Sequence, residues 1–199
     1  MPAANPPASA FAIDVPAALL TRARAGDRAA FEQLYRWFER PVFTLALRIC
    51  GDREEAADVL QETMLKVFHR IGDYRARDGA PFWGWLRRVA VNEALMCLRR
   101  GKPAGQPQGL PDDEILPDDF APPPAAAADA AALQRALAAL PPATRTVLWL
   151  YHAEGYTHEE IASLMERTAS FSKSQLSRGG RRLRALLEPE AEVAETVHG

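Results

Sequence analysis

The sequence has few of the residue types that build disulfide frameworks or metal sites. Its 199 residues include two cysteines, Cys50 and Cys97, and four histidines. No CxxC pair and no cysteine–histidine spacing typical of zinc ligands occurs. We therefore predict that the cysteines are small buried hydrophobic residues, with no disulfide framework and no metal site.

Long apolar runs and catalytic motifs are also missing. No apolar stretch approaches the roughly 18 residues that a membrane helix needs, and the N-terminus lacks the basic start of a secretory signal. No GxxxxGK[ST], GxSxG, paired-carboxylate motif or GxGxxG after a strand occurs. These absences predict a cytoplasmic protein that does not bind membranes, is not an enzyme and needs no cofactor.

Residues 101–129 divide the chain. They contain seven prolines, three glycines and six acidic residues against one lysine. A segment so rich in proline is not expected to keep a helix or a sheet ladder, and we interpret it as a long acidic linker between two domains. Residues 1–15 and 189–199 are expected to be loose tails.

Both flanks of the linker have the apolar spacing of amphipathic helices and no strand-period alternation. Helices are predicted at residues 27–50, with a kink or break at Pro41, at 53–70 and at 81–99. After the linker, Thr157 and Glu160 have the spacing of a capping box ahead of an apolar run. The predicted fold is all-α, with small helical domains at 16–100 and 130–188, the second containing a helix-turn-helix.

The last predicted helix is basic in an otherwise acidic protein. Residues 170–187 hold five lysine and arginine side chains and no acidic one, whereas the whole chain has a net charge of −2. At helical spacing, Leu176, Gly179 and Leu183 share one face, and the basic side chains share the other. A basic face behind a helix-turn-helix favours contact with DNA over a merely solvated surface.

Two N-terminal segments allow both a functional and a structural interpretation. Residues 80–92 combine Phe82 and two tryptophans with two arginines, a composition suited to single-stranded nucleic acid or to a helical core. In residues 53–68, acidic and amide side chains line one helix face. That face could be a solvated surface or could bind a basic partner.

These segments together resemble bacterial RNA polymerase sigma factors of the extracytoplasmic-function (ECF) group. The resemblance covers about residues 16–187 and includes "EEAADVLQETMLKVF", "FWGWLRRVAVNEAL" and "LPPATRTVLWLYHAEGYTHEEIASLM". It implies that 16–100 and 130–188 are sigma regions 2 and 4. The implied partners are promoter DNA, core RNA polymerase through its largest-subunit clamp helices and flap region, and an anti-sigma protein.

The resemblance also implies residue roles. Polymerase binding falls on Glu55, Asp58, Gln61, Glu62, Leu65 and Phe68. Recognition and melting of the −10 element fall on Tyr74, Arg75, Arg77, Trp83, Trp85, Arg87, Arg88 and Asn92. Recognition of the −35 element falls on Lys173, Ser174, Gln175, Ser177, Arg178, Arg181 and Arg182. The linker is implied to thread toward the polymerase active site and the RNA exit path.

The chain departs from the family pattern at several positions. Ala57 replaces a usual acidic residue on the polymerase-binding face, and this loss raises the hypothesis that phosphorylation of Thr63 restores the missing charge. Glu166-Arg167 and Gly179-Gly180 are also unusual. The predicted function is a sigma factor that directs promoter-specific initiation. The alternative is a sigma-derived adaptor or repressor that binds DNA without supporting initiation.

Overall fold

The computed structural model describes residues 10–74, 81–100 and 124–196, with side chains for 131–187 of the last segment. Within these segments all regular structure is helical. The helices are α1 (Ala17–Arg24), α2 (Arg28–Cys50), α3 (Arg53–Arg70), α4 (Phe82–Arg100), α5 (Pro124–Ala138), α6 (Pro142–His152), α7 (His158–Met165) and α8 (Ala169–Thr196). The all-α prediction is confirmed. None of these helices has the length and apolarity needed to cross a membrane.

Helices α1–α4 belong to one compact unit and α5–α8 to another. In the first unit, α2 packs against α1, α3 and α4, and α3 packs against α4. The centre of the apolar stripe of α2 is fully buried and includes Leu34, Phe38, Val42, Leu45 and Ile49. Each such side chain contributes roughly 1.5–3 kcal/mol by leaving water. This core fixes the faces that α3 and α4 leave exposed.

Helix α2 has clear start and stop signals. The Asp27 carboxylate accepts hydrogen bonds from the backbone N–H groups of Ala29 (2.9 Å) and Ala30 (3.2 Å). Gly51 ends the helix in the left-handed conformation at φ 80°, which glycine adopts without steric cost. Pro41 does not interrupt the helix, because α2 runs continuously from Arg28 to Cys50; the alternative of a kink stays a prediction.

The second unit contains the predicted helix-turn-helix, formed by α7 and α8. Thr157 accepts a hydrogen bond from the Glu160 backbone N–H (3.2 Å), and the Glu160 carboxylate accepts one from the Thr157 N–H (2.8 Å). The predicted capping box is therefore confirmed. The turn after α7 places Glu166 at φ 56°, a left-handed conformation that is costly for a residue with a Cβ.

Helix α8 packs against α5, α6 and α7. Its apolar face joins a cluster centred on the buried side chains of Leu137, Leu140 and Leu148. Gly179 lies where α8 approaches α6. A Cβ there would stand 2.5 Å from the Thr144 methyl group and 2.8 Å from Leu148 Cδ1. Close helix packing therefore explains this glycine, whereas a Cβ on Gly180 would meet nothing within 4 Å.

Three predicted boundaries differ from the structure. The expected N-terminal tail contains Phe11, which is fully buried. Helix α5 begins at Pro124, inside the expected linker, because proline is tolerated at a first helical position and alanine has the highest helix propensity. Helix α8 continues to Thr196, past the predicted start of a tail at 189. Linker residues 101–123 lie outside the described segments.

Candidate functional site

An apolar groove runs along the first unit between α2 and α3. Leu65 is 52 % exposed and Phe68 is 45 % exposed, which is unusual for large apolar side chains on a folded helix. The Phe68 ring meets Phe31 edge-on, with 4.8 Å between the ring centroids. The groove has a volume of about 560 Å³. Its walls are formed by Gly26, Arg28, Phe31, Tyr35, Gln61, Met64, Leu65 and Phe68.

Polar side chains of α3 accompany this groove. Asp58 and Gln61 are not buried. Glu62 lies 3.4 Å from the ammonium group of Lys66, which also donates a 2.6 Å hydrogen bond to Glu93. That hydrogen bond raises the pKa of Lys66 above its ordinary value, so Lys66 stays charged and offsets part of the acidity. The accessible surface of α3 therefore combines apolar area with a modest negative charge.

The aromatic side chains around the start of α4 form a cluster. The Tyr74 ring lies 5.3 Å from Phe82 and 5.6 Å from Trp85, measured between centroids. Tyr74 and Phe82 are buried, whereas Trp85 is half-buried. The Arg24 guanidinium lies over the Tyr74 ring and donates a 2.8 Å hydrogen bond to the Tyr74 carbonyl. Residue 74 is thereby fixed at the edge of the α3–α4 connection.

Of the remaining predicted side chains of α4, Arg88 and Asn92 lie on its outer surface, whereas Trp83 and Arg87 are half-buried. Trp83 is half-buried beneath the guanidinium of Arg87, 5.4 Å from the ring centroid. Arg88 and Asn92 are exposed, and because they are four residues apart they share one face of the helix. An arginine and an amide on one face can donate hydrogen bonds to phosphates and base edges.

The outer face of α8 is strongly basic. The side chains of Lys173, Ser177, Arg178, Arg181, Arg182 and Arg184 are exposed, and Ser174 is half-buried. Ser172 is buried, and its hydroxyl lies 2.9 Å from His158 Nδ1 of α7. That contact joins the two helices of the helix-turn-helix. The α7–α8 pair thus presents guanidinium, ammonium and hydroxyl groups on one surface, as a major-groove reading helix requires.

Comparison with known proteins matches each unit to a family. Residues 34–103 match the family described as Sigma-70 region 2, and residues 130–183 match Sigma-70, region 4. The chain is 30 % identical to RNA polymerase sigma-H factor of Pseudomonas aeruginosa, covering 86 % of this chain and 93 % of that one. It is 34 % identical to ECF RNA polymerase sigma factor SigM of Mycobacterium tuberculosis, covering 86 % and 84 %.

The chain belongs to the ECF group of RNA polymerase sigma factors. Its function is to direct promoter-specific transcription initiation by core RNA polymerase. A solved structure of the sigma factor RpoE with the anti-sigma factor NepR from Bartonella quintana is 21 % identical, with a TM-score of 0.55, covering 79 % of this chain and 96 % of that one. That structural likeness supports the helical fold described above for this sigma factor.

Three predicted site residues are buried or make contacts inside the protein. Thr63 is fully buried, so the phosphosite prediction is wrong for the folded domain because a kinase cannot reach its hydroxyl. Tyr74 is 5 % exposed and packs within the aromatic cluster, so its ring is largely covered by protein, and its predicted −10 role stays a prediction. The Gln175 amide oxygen accepts a 2.6 Å hydrogen bond from the Thr144 hydroxyl, so this half-buried side chain links α8 to α6.

Other predicted residues of this sigma factor are differently placed or lie outside the described segments. Arg75 and Arg77 lie outside the described segments. Glu55 is half-buried, and its carboxylate lies beside Cys50 and Cys97. Burial, and then the charge of Glu55, raise the pKa of the Cys97 thiol. Glu55 therefore differs from the side chains that accompany the groove.

Sequence reasoning missed the opposite wall of the groove. Phe31 and Tyr35 of α2 had the spacing of core residues, yet both line the groove beside α3. Their half-buried state is a consequence of their place at the edge of the α2 stripe, next to the fully buried Leu34. In the sequence, the apolar stripe of α2 is wider than a single facing helix can cover. That width was the signal that the edge of the stripe stays accessible.

Proposed function

We propose that this sigma factor binds core polymerase through the groove between α2 and α3. Leu65 and Phe68 supply exposed apolar area, and Asp58, Gln61 and Glu62 add polar groups beside it. Apolar side chains at the centre of a surface patch, with polar groups around them, are the usual anatomy of a protein interface. The exposure of Phe68 next to a preformed aromatic wall is the observation that carries this proposal.

The groove is tested by measuring affinity for purified core RNA polymerase. Phe68→Ser and Leu65→Ser should each weaken binding by roughly tenfold or more, because each removes an apolar side chain from the centre of the interface. Met96→Ser is the matched control, since Met96 is also a large exposed apolar side chain, 40 % exposed, but lies on α4. Equal weakening in all three variants, or in none, would exclude the groove.

For the −10 element we propose the outer surface of α4. Arg88 and Asn92 provide exposed donors on one face, with Trp83, Trp85 and Arg87 half-buried around the start of the helix. Half-buried aromatic rings next to arginines suit unpaired bases, which stack on rings while phosphates meet guanidinium groups. Tyr74 serves as the support on which Trp85 is held. Arg75 and Arg77 remain part of the proposal on the strength of the resemblance alone.

For the −35 element we propose the outer face of α8. Lys173, Ser177, Arg178, Arg181 and Arg182 are the exposed members of the predicted set, with Ser174 at its edge. Holoenzyme carrying Arg178→Ala or Arg181→Ala should bind promoter DNA more weakly. Where the removed arginine meets a phosphate, the salt dependence should fall by about one unit of log–log slope. Arg36→Ala removes the same charge from an exposed position on α2 and should change neither quantity.

We further propose that the chain acts in the cytoplasm, where polymerase and promoters are found, and that it performs no chemistry of its own. An anti-sigma protein is its proposed regulator. The support is the relative solved with the anti-sigma factor NepR, together with exposed apolar side chains at the groove that such a protein could cover. Polymerase and an anti-sigma protein would then compete for Phe68.

A further inference from the structure

Two thiols and a carboxylate converge at one end of the first unit. The sulfur atoms of Cys50 and Cys97 and a carboxylate oxygen of Glu55 all lie within 4.8 Å of one another. Cys50 is the last residue of α2, Glu55 lies in the first turn of α3, and Cys97 lies in the last turn of α4. Three helices therefore contribute one donor each.

We propose that Cys50, Cys97 and Glu55 form a binding site for a thiolate-preferring divalent cation of the Zn²⁺ class. Around tetrahedral zinc, with Zn–S about 2.3 Å and Zn–O about 2.0–2.2 Å, neighbouring donor atoms stand roughly 3.5–3.8 Å apart. The three donor atoms here lie within 4.8 Å of one another. Each pair is therefore at most about 1.0–1.3 Å farther apart than around a bound zinc ion. Small side-chain rotations could bring them onto one ion without moving a helix.

The donor set favours a metal over a disulfide. A disulfide would use the two sulfur atoms and give the carboxylate no role, whereas a cation uses all three groups. Neighbouring cysteines inside cells more often bind metals or take part in catalysis than form lasting disulfides. Cys50 is buried while Cys97 and Glu55 are half-buried, so an ion can enter from the surface and keep one position for water.

A neighbouring side chain adds to the negative charge of the site. Asp58 follows Glu55 by three residues on the same side of α3, and its charge acts on Cys97. A bound cation would tie the end of α2 to the beginning of α3 and the last turn of α4. Because α3 carries the groove in its later turns, the ion would stabilise the helix that forms the groove without occupying it.

The test uses the full chain, reduced and freed of metal with a chelator, and Co²⁺ as a spectroscopic probe. One Co²⁺ per chain should produce thiolate-to-cobalt charge-transfer absorption with the intense visible bands of tetrahedral coordination, and Zn²⁺ should abolish both. Cys97→Ser should remove the charge-transfer band. Glu55→Gln should weaken cobalt binding by at least the roughly 10–100-fold that loss of an outer-shell partner costs. Glu54→Gln, at the adjacent exposed position, should not weaken it.

Folding is checked separately by circular dichroism of each metal-free variant. Zn²⁺ should raise the Tm of the wild-type chain and of Glu54→Gln but not that of Cys97→Ser. The proposal is overturned if the reduced wild-type chain gives no charge-transfer band at stoichiometric cobalt, or if Cys97→Ser binds as tightly. It is also overturned if the thiols only form a disulfide and take up no metal after reduction. None of these readouts depends on polymerase binding.

Discussion

Gly179 allows α8 to pack closely against its neighbour α6. A Cβ at this position would overlap the side chains of Thr144 and Leu148 on α6, whereas a Cβ at Gly180 would meet open space. The two adjacent glycines therefore differ in what they do for the fold. The first allows close packing, and nothing in the structure explains the second.

This pair gives a matched stability test. Gly179→Ala should lower the free energy of unfolding by about 1–3 kcal/mol, since the added methyl group overpacks the α6–α8 contact. Gly180→Ala should raise it by up to about 1 kcal/mol because alanine favours the helix. Urea denaturation of both variants measures the two changes. If both substitutions stabilise the chain equally, α8 does not approach α6 as closely as described.

Glu166 has a backbone conformation that conflicts with its side chain. It holds φ 56° at the end of α7, in the region that glycine populates freely. Glu166→Gly should therefore raise the free energy of unfolding by about 0.5–1 kcal/mol. Glu166→Ala keeps the Cβ and should bring no such gain, so a stabilised alanine variant would show that the glutamate side chain itself is unfavourable.

At the scale of elements, the capping box decides where α7 begins. Thr157→Ala removes the hydroxyl that accepts from the Glu160 N–H and should lower the free energy of unfolding by about 1 kcal/mol. Thr157→Ser keeps an acceptor oxygen and should be much less destabilising. Chemical denaturation followed by helical circular dichroism distinguishes them. Equal destabilisation in the two variants would mean that the threonine methyl group matters more than the cap.

Local signals in the sequence predicted helices well. Apolar spacing placed α3 at its observed bounds, and Thr157 with Glu160 indicated the start of α7. Pro41 does not interrupt α2, since tertiary packing buries the α2 stripe on both sides of the proline. Helix α1 was not predicted, since its short apolar pattern becomes meaningful only once Leu19 and Leu20 are buried in the first unit.

The candidate sites were less predictable than the helices. The exposed basic face of α8 follows from the spacing of its lysine and arginine residues, whereas its −35 role stays a prediction. Thr63 could not be recognised as buried from one helix, because α3 is covered by both α2 and α4. The donors of the proposed metal site are spread over three helices, so no local ligand spacing in the sequence marks them.

At the scale of the whole molecule, acidic and basic side chains are concentrated on different helices. The chain has a net charge of −2, yet α8 presents a basic face while α3 presents acidic and apolar groups. A basic face raises the association rate with DNA. A net charge close to zero limits nonspecific attraction of DNA to the rest of the surface. With charge separated in this way, the proposed polymerase and DNA contacts would fall on different helices of one chain.

The most direct test is transcription by purified core polymerase on genomic DNA, with and without this chain, followed by mapping of transcript 5′ ends. We predict initiation at defined positions only when the chain is present. Leu65→Ser with Phe68→Ser should abolish these starts by preventing polymerase binding, and Arg178→Ala with Arg181→Ala should abolish them by weakening promoter binding. If the wild-type chain binds polymerase and DNA but produces no new starts, it is an adaptor or repressor and the account is wrong.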